Sequence, residues 1–366
     1  MWYNYTMKHD DMTTKTELQQ LPQPLLAWYR ANARVLPWRQ TRDPYPIWVS
    51  EIMLQQTRVA AVLGYYDRFL AAFPTVEDLA NAPEEQLMKL WEGLGYYSRA
   101  RNLQKAAKQV AEAGAFPQTY EGLLALPGIG DYTASAVASA AFGLREAAVD
   151  GNVLRVVTRI TDCHDDIADP KVKSRIRAQV QAILPEAAEE MRVFNQAMME
   201  LGATVCVPNG TPKCELCPAA AFCRARLCGT AERLPVKQPK KSRRREGMTV
   251  FLCLRDGKVA LRKRADTGLL AGLWEFPHVE GKLAEDAAGT AVDGFGLQAK
   301  AWKNQLAAKH IFTHVEWHMT GYTLEVSGPG TPDLVWMDGA ALTAHAVPSA
   351  FARYYEEALR CLKEET

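Results

Sequence analysis

Four cysteines fall within an eighteen-residue stretch, Cys206, Cys214, Cys217 and Cys223, spaced C-x7-C-x2-C-x5-C. A C-x2-C turn aims two sulfurs at one point, and two more thiols this close in sequence can complete the shell of a single metal centre. The N-terminus, MWYNYTMKHDDMTTK, carries acids and polar residues where a secretion signal has an apolar stretch. The thiols of a cytoplasmic chain stay reduced, so the set reads as metal ligands and not as disulfides. Structural zinc sites made of four cysteines use similar pairs. A single C-x2-C in one compact loop suits an iron-sulfur cluster better than the paired knuckles of a zinc ribbon. Cys228 stands outside the set, and Cys163, Cys253 and Cys361 read as buried thiols.

The cysteine loop also divides the chain. Residues 206–246 hold ten Lys or Arg against three Glu, while all 366 residues together carry a formal net charge of +1. Near-neutrality argues against a nucleic-acid partner, but positive charge gathered on one strap is enough to lie along a phosphate backbone. Before the loop, residues 17–205 read as successive amphipathic helices punctuated at Pro74, Pro83, Gly114, Pro117, Pro127 and Gly143. Residues 235–245 lack an apolar period and read as an exposed linker. After it come strand-like runs at 248–255, 258–264, 314–326 and 334–337. The expected organisation is a tail over 1–20, an all-helical domain over 21–230, a basic linker over 231–247 and a smaller α+β domain over 248–366. The longest charge-free apolar stretches, 132–144 and 339–352, fall short of the roughly 18–20 residues of a membrane span, so no membrane partner is expected.

Within the helical part, Leu126–Gly130 reads LPGIG between two helical runs. Gly128 and Gly130 let the backbone approach a ligand and turn N–H groups outward at a helix start, which suits a phosphate. An ordinary Gly-rich turn between helices has the same composition. Taken alone, Glu51 is one acid on an amphipathic helix, and Asp150, in VDGN, is a helix-initiating residue.

These segments together resemble the endonuclease III and MutY group of DNA glycosylases, and the MutY-type adenine glycosylases in particular. The segments are LPWR (36–39), WVSEIMLQQTRV (48–59), GLGYYSRARNL (93–103), LPGIG, VDGNVLRVVTR (149–159) and FNQAMMELGATVC (194–206) running into the cysteine loop. The resemblance spans about residues 21–366. It implies an all-α helix-hairpin-helix domain holding one 4Fe-4S cluster on Cys206, Cys214, Cys217 and Cys223, although the group usually has six residues, not seven, between the first two cysteines. It also implies that Glu51 and Asp150 line one base-binding pocket, with Glu51 as general acid and then activator of water, and Asp150 stabilising or briefly trapping the sugar cation. Tyr132 is expected to position or polarise Asp150, with Asn152 in the same network. Members that also cleave the backbone have a lysine two residues beyond the last hairpin glycine. Here that position is Tyr132, which cannot form an imine, so base removal without lyase chemistry is implied. Flipping of the target nucleotide would engage Gln56 and Tyr96 in the base stack, Leu36, Arg39 and Glu200 at the pocket, and Gly128 and Gly130 at a phosphate.

GLWEFP at 272–277 resembles the start of a Nudix-type fold, but no helix bearing R-E-x-x-E-E follows, so a reader without hydrolase activity is expected. By the same resemblance Phe312, Thr313 and His314 would sense 8-oxoguanine opposite the adenine. The implied partner is duplex DNA containing A:8-oxoguanine or A:G mispairs, met by a monomer in a cytoplasm of bacterial type, on the nucleoid. An endonuclease III-like glycosylase-lyase is the alternative; a silent lesion-binding protein and a Nudix hydrolase are further rivals. Tyr132, the Glu51/Asp150 pair and the missing metal box speak against each in turn.

Overall fold

The computed structural model describes residues 17–238 and 242–364. By packing, the described residues of 1–81 and 102–239 form one compact unit, and those of 82–101 and 240–366 form the other. The helices in chain order are α1 (Pro22–Asn32), α2 (Pro44–Leu54), α3 (Val59–Ala72), α4 (Val76–Asn81), α5 (Glu84–Trp91), α6 (Ser98–Ala113), α7 (Tyr120–Leu124), α8 (Asp131–Phe142), α9 (Gly151–Thr161), α10 (Pro170–Gln181), α11 (Ala188–Thr204) and α12 (Arg224–Leu227). Breaks at Pro74, Pro83, Gly114, Pro117, Pro127 and Gly143 separate them as the punctuation predicts. Among the described residues no helix is long and apolar enough to cross a membrane.

The first unit is built around α9, whose residues from Val153 to Thr161 are all buried. Leu21, Leu25, Ile176, Val180, Phe194 and Met198 pack with its Val153, Val156 and Val157 in one core. Within the expected basic linker Glu232 and Arg233 are exposed, but Leu234 and Val236 pack against the helical core. Leu234 is buried in that core, its carbonyl accepts from Arg159 Nε at 3.0 Å, and the Ile167 N–H bonds the Val236 carbonyl at 3.1 Å.

The second unit is a seven-stranded mixed sheet of β1 (Arg244–Arg255), β2 (Lys258–Lys263), β3 (Trp274–Glu275), β4 (His278–Glu280), β5 (Gln298–Ile311), β6 (Val315–Ser327) and β7 (Leu334–Met337), ordered β3-β2-β1-β6-β5 with β4 on β1 and β7 on β2. β1 and β6 run parallel and the remaining pairs antiparallel. β1 begins inside the expected linker, because residues 244–247 pair with 315–318 of β6. β5 has no counterpart in the strand pattern read from sequence.

Three more helices complete this unit: α13 (Glu285–Gly294), α14 (Gly339–Ala344) and α15 (Ala352–Glu364). α15 and α13 cover opposite faces through Tyr354 and Val292. Gly321 lets α15 approach, since a Cβ there would lie 2.1 Å from Tyr354 Cε1. α13 stands where a Nudix helix is expected, so a helix does follow Pro277, but its sequence, EDAAGTAVDG, lacks the carboxylate set. Residues 82–101 go with this unit because Lys89 Nζ donates to the His345 carbonyl at 3.0 Å, Glu92 accepts from the Val347 N–H at 2.8 Å and Arg101 donates to the Ala271 carbonyl at 2.6 Å.

Candidate active site

Glu51 rides on α2, a helix started by Asp43, whose carboxylate accepts from the Tyr45 N–H at 2.9 Å, and by Pro44 in its first turn. Tyr132 lies in the first turn of α8 and donates its hydroxyl proton to Glu51 Oε2 at 2.9 Å; Met199 Sδ on α11 lies 3.0 Å from the same hydroxyl. Burial pushes Glu51 up to about 7; Asp150 adds to the rise, while Tyr132 and Arg39 oppose it. The carboxylate is therefore poised between its two forms near neutrality.

Asp150 caps α9. Its Oδ1 accepts from the Val153 N–H at 2.8 Å and its Oδ2 from Asn152 Nδ2 at 2.7 Å. Burial raises its pKa, and these donors work the other way. Asn152 is held in turn by Arg155, whose Nη2 reaches Asn152 Oδ1 at 2.8 Å and the Gly202 carbonyl at 2.7 Å, while its Nε reaches the Cys206 carbonyl at 2.8 Å. Gly202 is required here: a Cβ would stand 2.6 Å from Asn152 Cβ, so only glycine lets α11 cross α9 this closely. Tyr132 thus bonds Glu51 and also lies near enough to Asp150 for the two to interact electrostatically, and Arg155 supplies an anchor the motifs do not announce.

Glu200 is fully buried and doubly bridged. Its Oε1 accepts from Arg34 Nε at 2.6 Å and its Oε2 from Arg34 Nη2 at 2.7 Å and Arg39 Nη2 at 2.8 Å. Burial works to raise its pKa, but the two guanidinium groups outweigh that and hold it at about 2. Both oxygens of the expected adenine contact are thereby committed to arginines. Arg39 also lies over the Tyr29 ring at 5.6 Å, and Tyr29 donates to Gln196 Oε1 at 2.9 Å, while Leu36 beside them is buried.

Gly128 has φ +76°, and a Cβ on it would meet Asn102 Cβ at 2.6 Å, so the hairpin admits only glycine there. At Gly130 a Cβ would meet nothing within 4 Å. No side chain caps α8, which leaves its first-turn N–H groups for an anion. Gln56, beyond α2, is exposed with φ +61°.

The four loop cysteines line one cavity with Val156, Ile160, Leu201 and Val205. As they stand, no three His, Cys, Asp or Glu side chains among the described residues are grouped to hold a single metal ion. Burial pushes the Cys217 thiol up to about 12 and raises Cys214 and Cys223, and in each case the neighbouring cysteines add to the rise. Thiols gathered this closely can be thiolates together only around positive charge, so the donor set fits a metal cluster. Arg159 contributes by donating to Cys206 Sγ at 3.2 Å and the Val207 carbonyl at 2.9 Å.

In the second unit Tyr96, with φ +48° and 46% exposed, places its hydroxyl 2.5 Å from Thr313 Oγ1. Phe312 packs edge-on against Trp317 at 4.8 Å, and His314 is exposed. Glu275, in the Nudix-like segment, is buried and bonded by Arg262 Nε at 3.0 Å and by Arg264.

A family model described as HhH-GPD superfamily base excision DNA repair protein matches residues 49–182, which contain Glu51, Tyr132, Asp150 and Asn152. A NUDIX domain model matches residues 249–357. The adenine DNA glycosylase of Homo sapiens is 35% identical over 90% of this chain and 72% of its own length. That of Buchnera aphidicola subsp. Baizongia pistaciae is 36% identical over 70% of this chain and 72% of its own. Among solved structures, a thermostable thymine-DNA glycosylase is similar with a TM-score of 0.53 at 29% identity, covering 59% of this chain and 99% of the other. The helical part is thus an HhH-GPD domain, followed by a Nudix-like α+β domain.

Proposed function

The chain belongs to the adenine DNA glycosylases, base-excision-repair hydrolases of N-glycosyl bonds, and we propose that it excises adenine mispaired with 8-oxoguanine or guanine without cutting the backbone. The observation that carries the mechanism is Glu51, lifted to about 7 beside Asp150. A flipped adenine leaves most easily when a carboxylic acid protonates it as the bond to deoxyribose breaks, and a second carboxylate faces the sugar cation that results. Glu51 is the acid; once ionised, it takes a proton from the water that adds to the sugar. Asp150, fixed by the Val153 N–H and Asn152, is the stabilising carboxylate. Tyr132 holds Glu51 and offers no amine for an imine, which supports a glycosylase without lyase activity.

Cys206, Cys214, Cys217 and Cys223 would hold a 4Fe-4S cluster. When bound, it supplies four iron–sulfur bonds that cross-link the loop. Gly128, Gly130 and the start of α8 take a phosphate, Gln56 and Tyr96 fill the opened stack, and Phe312, Thr313 and His314 read 8-oxoguanine. The locked Glu275 and the absent carboxylate set support a reader without hydrolase activity.

The test is strand cleavage of an A:8-oxoguanine duplex with and without alkali. Breaks only after alkali are expected for the wild type, and none for Glu51→Gln. Breaks without alkali would overturn the lyase-free reading.

A further inference from the structure

The Tyr132 hydroxyl has one proton and two acceptors at nearly equal range, Glu51 Oε2 at 2.9 Å and Met199 Sδ at 3.0 Å. The proposed reaction needs Glu51 in both protonation states, so the demand it makes on that proton changes during each turnover. An ionised carboxylate is much the stronger acceptor and takes the proton. A protonated carboxyl makes a weaker claim, and the thioether is then a usable alternative.

We propose that Met199 is a positioning residue which gives the Tyr132 hydroxyl a second acceptor and so keeps protonated Glu51 available at neutral pH. The proton exchanged is the tyrosine's own: it rotates between carboxylate and sulfur, no bond to oxygen breaks, and Tyr132 stays neutral. On α11 Met199 precedes Glu200, which Arg34 and Arg39 bridge. The charged groups facing Glu51 are otherwise Asp150, at the start of α9, and Arg39. Both remain in any variant at 199, so a change there isolates the contribution of the sulfur.

The proposal rests on Glu51 as general acid for its purpose, but its test does not. In full-length protein with carboxyl-13C glutamate, an NMR titration reads the Glu51 pKa whether or not Glu51 is catalytic. Met199→Leu conserves volume and removes the acceptor. Tyr132 is left to donate to Glu51 alone, which favours the ionised form, and the Glu51 pKa should fall by about half a unit to one unit. The alkaline limb of single-turnover excision should move down with it. In a Tyr132→Phe background the same substitution should produce no shift. Met199→Ile, also without an acceptor, repeats the measurement should leucine disturb the fold. An unchanged Glu51 pKa, or an equal shift with and without the Tyr132 hydroxyl, would overturn the proposal. A shift in the NMR pKa with an unmoved rate profile upholds it and removes Glu51 from the acid role instead.

Discussion

Glu51→Gln is expected to stabilise the protein at alkaline pH while abolishing excision. Burial lifts this carboxyl from an ordinary 4.5 to about 7, Asp150 adds to the rise, and Tyr132 and Arg39 only partly offset it. A folded-state value above the unfolded one means that the fold favours the protonated acid. That contribution is complete below about pH 4.5, shrinks as pH rises, and is lost above about pH 7. At about 1.4 kcal/mol per unit the gap corresponds to roughly 3 kcal/mol. Glutamine is neutral at every pH, matches the shape and still accepts from Tyr132. Its advantage over the wild type should therefore be small at pH 5 and reach roughly 3 kcal/mol at pH 8.5, or roughly 6–12 °C in Tm for a unit of this size. Thermal unfolding followed by circular dichroism from pH 5 to 9 measures it, with single-turnover excision recorded on the same preparation. A Tm difference independent of pH, or a variant less stable than wild type at pH 8.5, would refute the raised pKa and the acid role built on it.

Arg155→Lys keeps the charge but cannot reach Asn152, Gly202 and Cys206 together; excision at saturating DNA should fall at least about tenfold, from the loss of roughly 1.5–3 kcal/mol of charged hydrogen bonding. An unaltered rate would confine Arg155 to a structural role. Thr313→Ala removes the hydroxyl that meets Tyr96 and should narrow the preference for A:8-oxoguanine over A:G; an unchanged ratio of rates moves recognition elsewhere. The purified protein should absorb in the visible and carry about four iron per chain by elemental analysis, with Cys214→Ser losing most of it; a colourless, zinc-loaded and active preparation would overturn the cluster assignment.

What was legible in the sequence is what residue type alone dictates. Gly128 is needed at φ +76° against Asn102, and the helical breaks follow Pro and Gly. β5 was not legible, because Ala, Lys and Gln dominate residues 298–311 and have little strand preference of their own. Its conformation comes from pairing with β6, from Gln298 opposite Ser327 to Ile311 opposite Glu316. The bridges of Glu200 were not legible, because its arginine partners, Arg34 and Arg39, lie 166 and 161 positions away. Met199 carries no motif signal, since only the approach of α8 to α11 brings Tyr132 to its sulfur.

The same separation hides Arg155 and Arg159. In VDGNVLRVVTRI they share one helix face with Gly151, Asn152 and Thr158, opposite the valines, and periodicity reads that face as solvated. Both prove buried, and a buried guanidinium persists only where acceptors meet it. Arg155 finds them in Asn152 and in the carbonyls of Gly202 and Cys206; Arg159 finds them in the carbonyls of Val207 and Leu234 and the sulfur of Cys206. The acceptors of these two side chains therefore run from Asn152, which holds Asp150, to Cys206, the first residue of the cysteine loop. A single helix thus fixes Asp150 at its start and that loop along its length, and a loosened loop would reach Asp150 through Arg155 and Asn152 before it disturbed Glu51, which stands on α2 and is held by Tyr132. Loop damage should therefore slow excision first through Asp150, with Glu51 still held by the Tyr132 hydroxyl.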